Sequence, residues 1–299
     1  MEKNMLFIYN PFAGKAEIPS RLNYIINYFT QNGYTVTVRP TQCNNDAFET
    51  VVNYGSFFDY VVCAGGDGTL NETASGLAEL ARAKKHTPTF GYIPAGSTND
   101  FANTKKIPIH LDDALEVIVR RKTKTLDMGT VNGRYFTYVA AFGLFTDVSY
   151  DTPQNMKNIF GHTAYILEGV KRLGSVNPIE CQILFDDGET IEDKFVLGMI
   201  TNSMSVGGFN LPKDYFFDGE GFLMILLKYC ERFIDYQGVI PALLGVREPQ
   251  EHFIIKPVEQ VDILCKDEIA WTVDGEFGGK YKENHVDIIN DKINIAVDI

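Results

Sequence analysis

The chain has 299 residues, of which 45% are hydrophobic and 22% are charged. These fractions are ordinary for a globular protein and exclude a disordered chain, a coiled coil and a collagen-like fibre. The 27 Lys and Arg residues and 39 Asp and Glu residues give a net charge of −12. This balance argues against a general nucleic-acid binder, because neutralising phosphates requires clustered basic residues.

The sequence predicts a cytoplasmic protein. Its first apolar run, Met5 to Tyr9, is too short for the core of a signal peptide, and no stretch reaches the roughly 18 apolar residues needed to cross a bilayer. The five cysteines are scattered, and two of them, Cys63 and Cys265, lie inside apolar runs. We therefore expect reduced, mostly buried thiols in a reducing compartment.

Strand and helix patterns alternate along the first third of the chain. Short apolar runs, typical of buried parallel strands, alternate with segments whose apolar residues recur at helical spacing. The predicted order is strand Leu6 to Tyr9, helix Ile18 to Phe29, strand Tyr34 to Val38, helix Asn44 to Tyr54, strand Tyr60 to Ala64, helix Leu70 to Ala83 and strand Phe90 to Ile93. This order predicts an α/β domain over residues 1–122, with a parallel sheet and helices on both of its faces.

From about Leu126 the pattern changes and strands dominate. Asn132-Gly133 and Asp187-Gly188 are typical of tight hairpin turns. The predicted strands are Thr125 to Val131, Tyr135 to Phe142, Ile179 to Phe185, Glu189 to Thr201, Phe222 to Tyr229, Phe253 to Lys256, Gln260 to Cys265, Ile269 to Val273, His285 to Ile289 and Ile293 to Val297, with helices at Ile159 to Leu173 and Arg232 to Leu244. We expect a mainly antiparallel β-sandwich or barrel over residues 123–299, and a cleft between the two domains.

The strongest local motif is a glycine-rich loop, Gly65-Gly66-Asp67-Gly68-Thr69, which follows a buried strand and opens a helix. Its glycines let backbone N–H groups come close to a ligand, and the N-terminus of the helix favours phosphate. Asp67 is then explained by a divalent cation that bridges its carboxylate to the phosphates. The alternative is a plain turn in which Asp67 caps the helix.

Three further segments are expected at the same edge of the sheet, where parallel α/β folds bind their ligands. They are Pro94 to Phe101, with Gly96, Ser97 and Thr98 as phosphate donors and Asn99 and Asp100 as loop-holding or capping residues; Asn10 to Lys15, with Gly14 allowing close approach; and Thr41. Each of them alone is compatible with an ordinary turn. Four such segments in a row favour a nucleotide site.

Two acidic turns lie in the β-rich half. In Val273-Asp274-Gly275-Glu276 a carboxylate can accept a hydroxyl proton during phosphoryl transfer. In the segment from Tyr215 to Glu220, Asp218 and nearby backbone carbonyls can hold a hard cation. For both segments the alternative is a simple turn between strands.

Taken together, these motifs resemble the diacylglycerol kinase catalytic family, the lipid kinases that also include sphingosine and ceramide kinases. The resemblance covers most of the chain and is carried by Asn10-Pro11, Gly65 to Thr69 with Asn71-Glu72, Pro94 to Ala102, Leu126 to Gly129, Asp218-Gly219 and Asp274-Gly275-Glu276. NAD kinases share the Gly-Gly-Asp-Gly-Thr loop. The Asn99-Asp100-Phe101-Ala102 segment and the Asp127-Met128-Gly129 that follows favour the lipid kinases.

The resemblance implies an ATP- and Mg²⁺-dependent lipid kinase, with diacylglycerol converted to phosphatidic acid as the expected reaction. It implies that Asp67 orients catalytic magnesium, that Glu276 accepts the hydroxyl proton, and that Asp218 with main-chain oxygens of Tyr215 and Glu220 forms a structural magnesium site. The implied ATP contacts are Asn10, Pro11, Phe12, Ala13, Gly14, Thr41, Gly66, Asp67, Gly68, Thr69, Leu70, Asn71, Glu72 and Thr98, and we add Gly65 and Gly96 from the loops themselves.

A lipid kinase without a membrane span must visit the inner face of the membrane as a peripheral protein. We expect a transient contact through a basic patch of Lys157, Lys171 and Arg172, and acyl chains lying along Phe142, Phe145 and Tyr165. A homodimer is compatible with the sequence. Two alternatives stay open: a kinase for a soluble substrate such as NAD, and a nucleotide-binding regulator that has lost catalysis.

Overall fold

The computed structural model describes residues 3–97, 99–144, 177–202, 205–206, 209–210, 221–232, 235–236 and 252–297. The chain divides into two compact units, residues 1–128 with 289–299 and residues 129–288. The sequence-based boundary lay at 122/123 and placed the whole C-terminal end in the second domain. The structure differs because the last strand returns to the sheet of the first unit, where Ile295 pairs in parallel with Phe90.

The first unit is built around the parallel sheet that the sequence predicted. The elements, numbered in chain order, are β1 (Lys3–Tyr9), α1 (Ile18–Gln31), β2 (Tyr34–Pro40), α2 (Asp46–Tyr54), a 3₁₀ turn (Gly55–Phe57), β3 (Tyr60–Gly65), α3 (Asp67–Arg82), β4 (Thr89–Pro94), α4 (Asp100–Lys105) and α5 (Leu111–Arg120). These four strands lie side by side as β2-β1-β3-β4, and all neighbouring pairs are parallel.

Helices cover both faces of this sheet. Phe7 of β1 packs in one apolar cluster with Phe29 of α1 and Ile118 of α5. Neighbouring residues of a strand point to opposite faces, and Cys63 of β3 lies on the other face, in hydrogen-bonding contact with Thr73 of α3. The strands are therefore buried on both sides, which explains their continuous apolar runs.

The elements of the second unit are mainly antiparallel strands. The range of β5 begins in the first unit, and that of β15 ends there. The strands are β5 (Thr123–Val131), β6 (Arg134–Phe136), β7 (Val139–Gly143), β8 (Ile179–Phe185), β9 (Thr190–Thr201), β10 (Ser205–Val206), β11 (Phe209–Asn210), β12 (Phe222–Lys228), β13 (Phe253–Val258), β14 (Gln260–Val273) and β15 (Glu276–Ala296).

Two long strands, β9 and β14, organise this unit. The carboxyl-terminal part of each pairs with β7, and the amino-terminal part of each pairs with β8. On their outer sides, β9 continues to β12 and β13, and β14 continues to β15. Trp271 of β14, the single tryptophan of the chain, is fully buried in the core between these strands.

Several predicted boundaries in the β-rich half are wrong. The strand predicted from Tyr135 to Phe142 is interrupted after Phe136 and resumes at Val139. The pair predicted at 260–265 and 269–273 is one strand, β14, with a register shift between Leu264 and Ile269. The pair predicted at 285–289 and 293–297 belongs to one strand, β15. The helix predicted from Ile159 to Leu173, and most of the one predicted from Arg232 to Leu244, lie outside the described residues.

The hairpin turns are confirmed. Asn132 and Gly133, between β5 and β6, both have positive φ values, 48° and 81°, and Gly188 between β8 and β9 has a φ of 85°. Helix α5 was missed by the sequence analysis, although its buried residues, Ala114, Leu115, Val117 and Ile118, recur at helical spacing. Among the described helices, none has the length and apolar character that crossing a membrane requires.

Phe142 is not at the surface, where an acyl chain would need it. Its ring is fully buried and lies 5.0 Å from that of Trp271, centroid to centroid. Directly opposite it on β9 stands Gly198, and an added Cβ there would lie 2.2 Å from the Phe142 ring. Glycine is therefore required at position 198 by the aromatic core.

We expect Gly198→Ala to lower the free energy of unfolding by about 1–3 kcal/mol, because the extra methyl overpacks the core. Urea unfolding followed by Trp271 fluorescence measures the loss. In a Phe142→Leu background the same substitution should cost clearly less, because the ring that it meets is gone. An equal cost in both backgrounds would contradict this packing.

Candidate functional site

Two glycine-rich loops leave the carboxyl ends of β3 and β4, which are neighbours in the sheet. The N–H of Ala95 donates to the carbonyl of Gly65 at 2.8 Å. A Cβ added at Gly96 would lie 2.6 Å from the Cα of Gly66. The two backbones are therefore in contact, and a side chain at position 96 would push them apart.

Side chains brace the second loop and join it to the first. The amide of Asn99 holds Gly96 in both directions: it accepts the Gly96 N–H at 2.8 Å and donates to the Gly96 carbonyl at 3.0 Å. Oδ1 of Asp67 accepts the N–H of Phe101 at 3.2 Å, across from the first loop to the start of α4. The loop-holding role expected for Asn99 is confirmed, and Thr98 lies outside the described residues.

The N-terminus of α3 lies in the first loop. Gly66 precedes the helix in an extended conformation, and the first intrahelical bond runs from the N–H of Leu70 to the carbonyl of Gly66 at 3.0 Å. By helix geometry, the N–H groups of Gly68 and Thr69 have no acceptor inside α3. Together with the positive end of the helix dipole, these two donors favour an anion such as phosphate.

A third loop, after β1, packs against both glycine loops. Nδ2 of Asn10 donates to the Thr69 hydroxyl at 3.5 Å, and Oδ1 of Asn10 accepts the N–H of Phe12 at 2.9 Å. Gly14 has a φ of 54°, and a Cβ there would lie 2.3 Å from the carbonyl oxygen of Ala95. The structure therefore brings the first three predicted segments to one edge of the sheet.

The other predicted nucleotide contacts differ in how much of their side chain is accessible. The N–H of Thr41 bonds to the carbonyl of Tyr9 at 2.9 Å, which keeps the end of β2 beside that of β1. Leu70 is fully buried, and its N–H is bonded to the carbonyl of Gly66. Thr69 and Ala13 are buried, Pro11, Thr41 and Asn71 are half-buried, and Phe12 is 85% exposed.

Glu72 is engaged with the protein itself. Its two carboxylate oxygens accept the N–H groups of Asn45 at 2.7 Å and Ala47 at 3.2 Å, at the N-terminus of α2. Partial burial raises the pKa of Glu72, and these two hydrogen bonds oppose the rise. Glu72 thus fastens the segment that follows Thr41 to α3, a role that the sequence did not indicate because its partners are 25 or more residues away.

Two further groups of the first unit escaped the sequence analysis. The hydroxyl of Tyr92 donates to the carbonyl of Gly65 at 3.1 Å and so holds the backbone where β3 ends and the first loop begins. Burial lowers the pKa of Lys105 at the end of α4, and the charge of Asp127 opposes that shift. The Leu126 to Gly129 motif pointed to Asp127, the charged neighbour of Lys105. Nothing in the sequence marked Lys105 itself.

The second predicted centre, around Glu276, lies in the other unit on a two-residue hairpin. Asp274 and Gly275 have φ values of 46° and 88°, and they connect β14 to β15 so that Val273 faces Glu276. Positive φ at both turn positions is typical of tight hairpins. The predicted turn is therefore present in the structure, and Glu276, the first residue of β15, is exposed to solvent.

Asp274 anchors this hairpin. Its buried carboxylate accepts four hydrogen bonds, from the N–H groups of Thr137 at 2.7 Å, Tyr138 at 3.1 Å and Val139 at 3.1 Å, and from the Thr137 hydroxyl at 2.7 Å. Burial raises the pKa of Asp274, and these donors oppose the rise. The break between β6 and β7 exists where these three N–H groups turn toward Asp274.

The predicted structural metal site is not described. Tyr215, Asp218 and Glu220 lie outside the described residues, as do Phe145, Lys157, Tyr165, Lys171 and Arg172. Within the described ranges, no group of three or more His, Cys, Asp or Glu side chains is arranged to hold a metal ion.

Comparison with known proteins assigns the family. The family model of the diacylglycerol kinase catalytic domain matches residues 4–131. The diacylglycerol kinase of Bacillus subtilis (strain 168) is 34% identical over 282 residues, 93% of this chain and 91% of that protein. The chain belongs to the diacylglycerol kinase family. The family resemblance inferred from the motifs is thereby confirmed, and the protein is a lipid kinase.

Other relatives agree with this assignment. The diacylglycerol kinase of Staphylococcus aureus (strain MRSA252) is 32% identical, and the match covers 98% of this chain and 95% of that protein. The crystal structure of a diacylglycerol kinase from Bacillus anthracis str. Sterne matches with a TM-score of 0.73 at 20% identity, over 99% of this chain and 97% of that one. At this identity the structural match supports the fold alone.

We expect Asp274→Ala to destabilise the second unit of this lipid kinase by about 3 kcal/mol or more, because four buried donors lose a charged acceptor. Thr137→Val is the matched control, since it removes only the hydroxyl donor and should cost about 1 kcal/mol. Urea unfolding monitored by Trp271 fluorescence gives both values. If Asp274→Ala lowers the free energy of unfolding by less than about 0.5 kcal/mol, the cost is that of an ordinary surface substitution. That result would contradict the anchoring role.

Proposed function

We propose that this lipid kinase transfers the γ-phosphoryl group of ATP to the free hydroxyl of diacylglycerol and so produces phosphatidic acid. The observation that carries this proposal is the contact between the two glycine loops at the N-terminus of α3, because it gathers backbone donors where a polyphosphate needs them. The names of the relatives, which are diacylglycerol kinases, favour the acceptor.

In this proposal the first unit binds the nucleotide. The N–H groups of Gly66, Gly68 and Thr69 would bind the phosphates, and Gly96 leaves room for them beside the second loop. Asn10 and Thr41 would contact the nucleotide from the neighbouring strand ends. The exposed ring of Phe12 lies on the Asn10 loop and is available to a base or ribose.

Magnesium would accompany ATP and neutralise charge on the transferred group. Because Mg²⁺ on a nucleotide keeps several waters and takes only one or two protein carboxylates, the single half-buried Asp67 suits it. Asp67 would orient that ion, while its Oδ1 holds the N–H of Phe101. A further structural ion would be held by Asp218 with Tyr215 and Glu220.

Phosphoryl transfer chiefly requires the protein to position the reactants and to stabilise the charge that develops during the reaction. The lipid hydroxyl oxygen attacks the γ-phosphorus, the bond from that phosphorus to the bridging oxygen breaks, and ADP leaves with those electrons. The hydroxyl proton passes to the carboxylate of Glu276. A carboxylate on a hairpin anchored by four hydrogen bonds is well held for this step.

The lipid would be bound by the second unit, which we propose to be a β-sandwich domain of the kind the sequence suggested. With a net charge of −12, the protein would act as a peripheral enzyme of the inner membrane face through a local basic surface. Lys157, Lys171 and Arg172 are our candidates for that surface. A homodimer is compatible with this arrangement.

The proposal is tested with radiolabelled ATP and Mg²⁺ on a panel of diacylglycerol, sphingosine, ceramide, a polyprenol and NAD. We expect label in phosphatidic acid, and Glu276→Gln should lower kcat by about 100-fold or more, because the proton loses its acceptor. Glu283→Gln is the matched control on the same strand, and it should leave kcat unchanged. ATP binding should survive in both variants.

Three outcomes would contradict the proposal. Label transferred to NAD would mean a kinase for a soluble substrate. Saturable ATP binding without transfer to any acceptor would mean a regulator without catalysis. Near-normal kcat in Glu276→Gln would remove Glu276 from the reaction.

A further inference from the structure

Two cysteines face each other across neighbouring strands of the second unit. Cys181 of β8 pairs directly with Cys265 of β14 in an antiparallel register. Directly opposed residues of such a pair point to the same face, with Cα atoms roughly 4.5–5.5 Å apart. A disulfide requires a Cα separation of roughly 4.4–6.8 Å, so the strands already hold the backbone geometry that the bond needs.

The strands around this pair are fastened in register. Glu180 and Lys266, the neighbours of the two cysteines, form an ion pair with Nζ and Oε2 3.2 Å apart. Lys194 of β9 reaches the same carboxylate at 3.1 Å. These exposed pairs contribute little stability but show that β8 and β14 keep their neighbouring side chains within contact distance at this point.

The two thiols interact with each other. A hydrogen bond from the Cys181 thiol lowers the pKa of Cys265, while the same contact and burial raise the pKa of Cys181. The other three cysteines lie elsewhere: Cys43 is exposed, Cys63 is buried in β3, and Cys230 follows β12. Of these two buried thiols Cys265 is the more acidic, and the cross-strand register places the Cys181 sulfur where it can resolve an oxidised Cys265 sulfur.

A chain of hydrogen bonds connects this pair to the tryptophan. Nδ2 of Asn284 donates to the sulfur of Cys265 at 3.8 Å, and Oδ1 of Asn284 accepts the indole N–H of Trp271 at 2.6 Å. A change at the Cys265 sulfur therefore reaches the environment of Trp271 within two contacts. Trp271 lies on the same strand as the Asp274 hairpin.

We propose that Cys181 and Cys265 form a thiol oxidation site, which a hydroperoxide converts to a disulfide. With hydrogen peroxide, the Cys265 thiolate attacks one oxygen, the O–O bond breaks, and the departing hydroxide takes up the proton that the Cys265 thiol released, so that a sulfenic acid and one water form. The Cys181 sulfur then attacks the sulfenic sulfur, the S–S bond forms, the S–O bond breaks, and the hydroxide leaves with the Cys181 proton as a second water. Two thiols lose two electrons in total, and one hydroperoxide molecule gains them.

The test treats the full chain with hydrogen peroxide and then alkylates it under denaturing conditions. We expect three alkylated thiols of the five cysteines present, a loss of about 2 Da before alkylation, and a peptide linking Cys181 to Cys265. The urea midpoint, read by Trp271 fluorescence, should rise on oxidation and return with dithiothreitol, because the cross-link restricts the unfolded chain.

Matched variants separate this pair from the other thiols. Cys43→Ser removes the exposed cysteine and should still form the link, whereas Cys181→Ala and Cys265→Ala should each prevent it and abolish the midpoint shift. Peptide mapping of the wild-type chain decides the question even where a variant folds poorly. Five alkylated thiols after treatment, sulfinic or sulfonic acid at either cysteine, or a disulfide through Cys43 would overturn the proposal. The readout is the bond itself, so it is independent of the lipid kinase assay.

Discussion

The close approach of two backbones, at Gly66 and Gly96, is the constraint on which the first unit depends. The hydrogen bond from Ala95 to Gly65 continues the pairing of β3 and β4 beyond the ends of the strands. It places the start of α3 beside the second loop, and the third loop then fits only because Gly14 also lacks a Cβ. A helix N-terminus thus lies beside three loops, and the phosphate binding that we propose rests on that geometry.

Glycine-rich loops are flexible on their own, and here hydrogen bonds from the side chains of other residues restrain them. Asn10 and Asp67 each bond to the hydroxyl or backbone of another loop, Asn99 braces its own loop through Gly96, and Glu72 bonds to the start of α2. The residues that the motifs marked as ligands therefore also build the site. Asp274 follows the same rule in the second unit, where four donors oppose the rise in pKa that the burial of its carboxylate causes.

The sequence predicted what is local. The alternation of strands and helices, the hairpin turns and the three loops at one edge follow from periodicity, glycine positions and parallel connectivity. It could not predict the return of Ile295 to β4, because parallel pairing between distant segments leaves no local signal. The break at Thr137 and Tyr138 was hidden for a similar reason, since their N–H groups serve a carboxylate 136 or 137 residues away.

Hydrogen–deuterium exchange of the full chain tests most directly whether the nucleotide phosphates lie in the glycine loops of the first unit, as we propose. A non-hydrolysable ATP analogue with Mg²⁺ should slow exchange in peptides that cover residues 10–15, 65–72 and 95–101, because bound phosphates shield those N–H groups. Unchanged exchange in all three segments at saturating analogue, or protection only within residues 129–288, would contradict this placement of the phosphates.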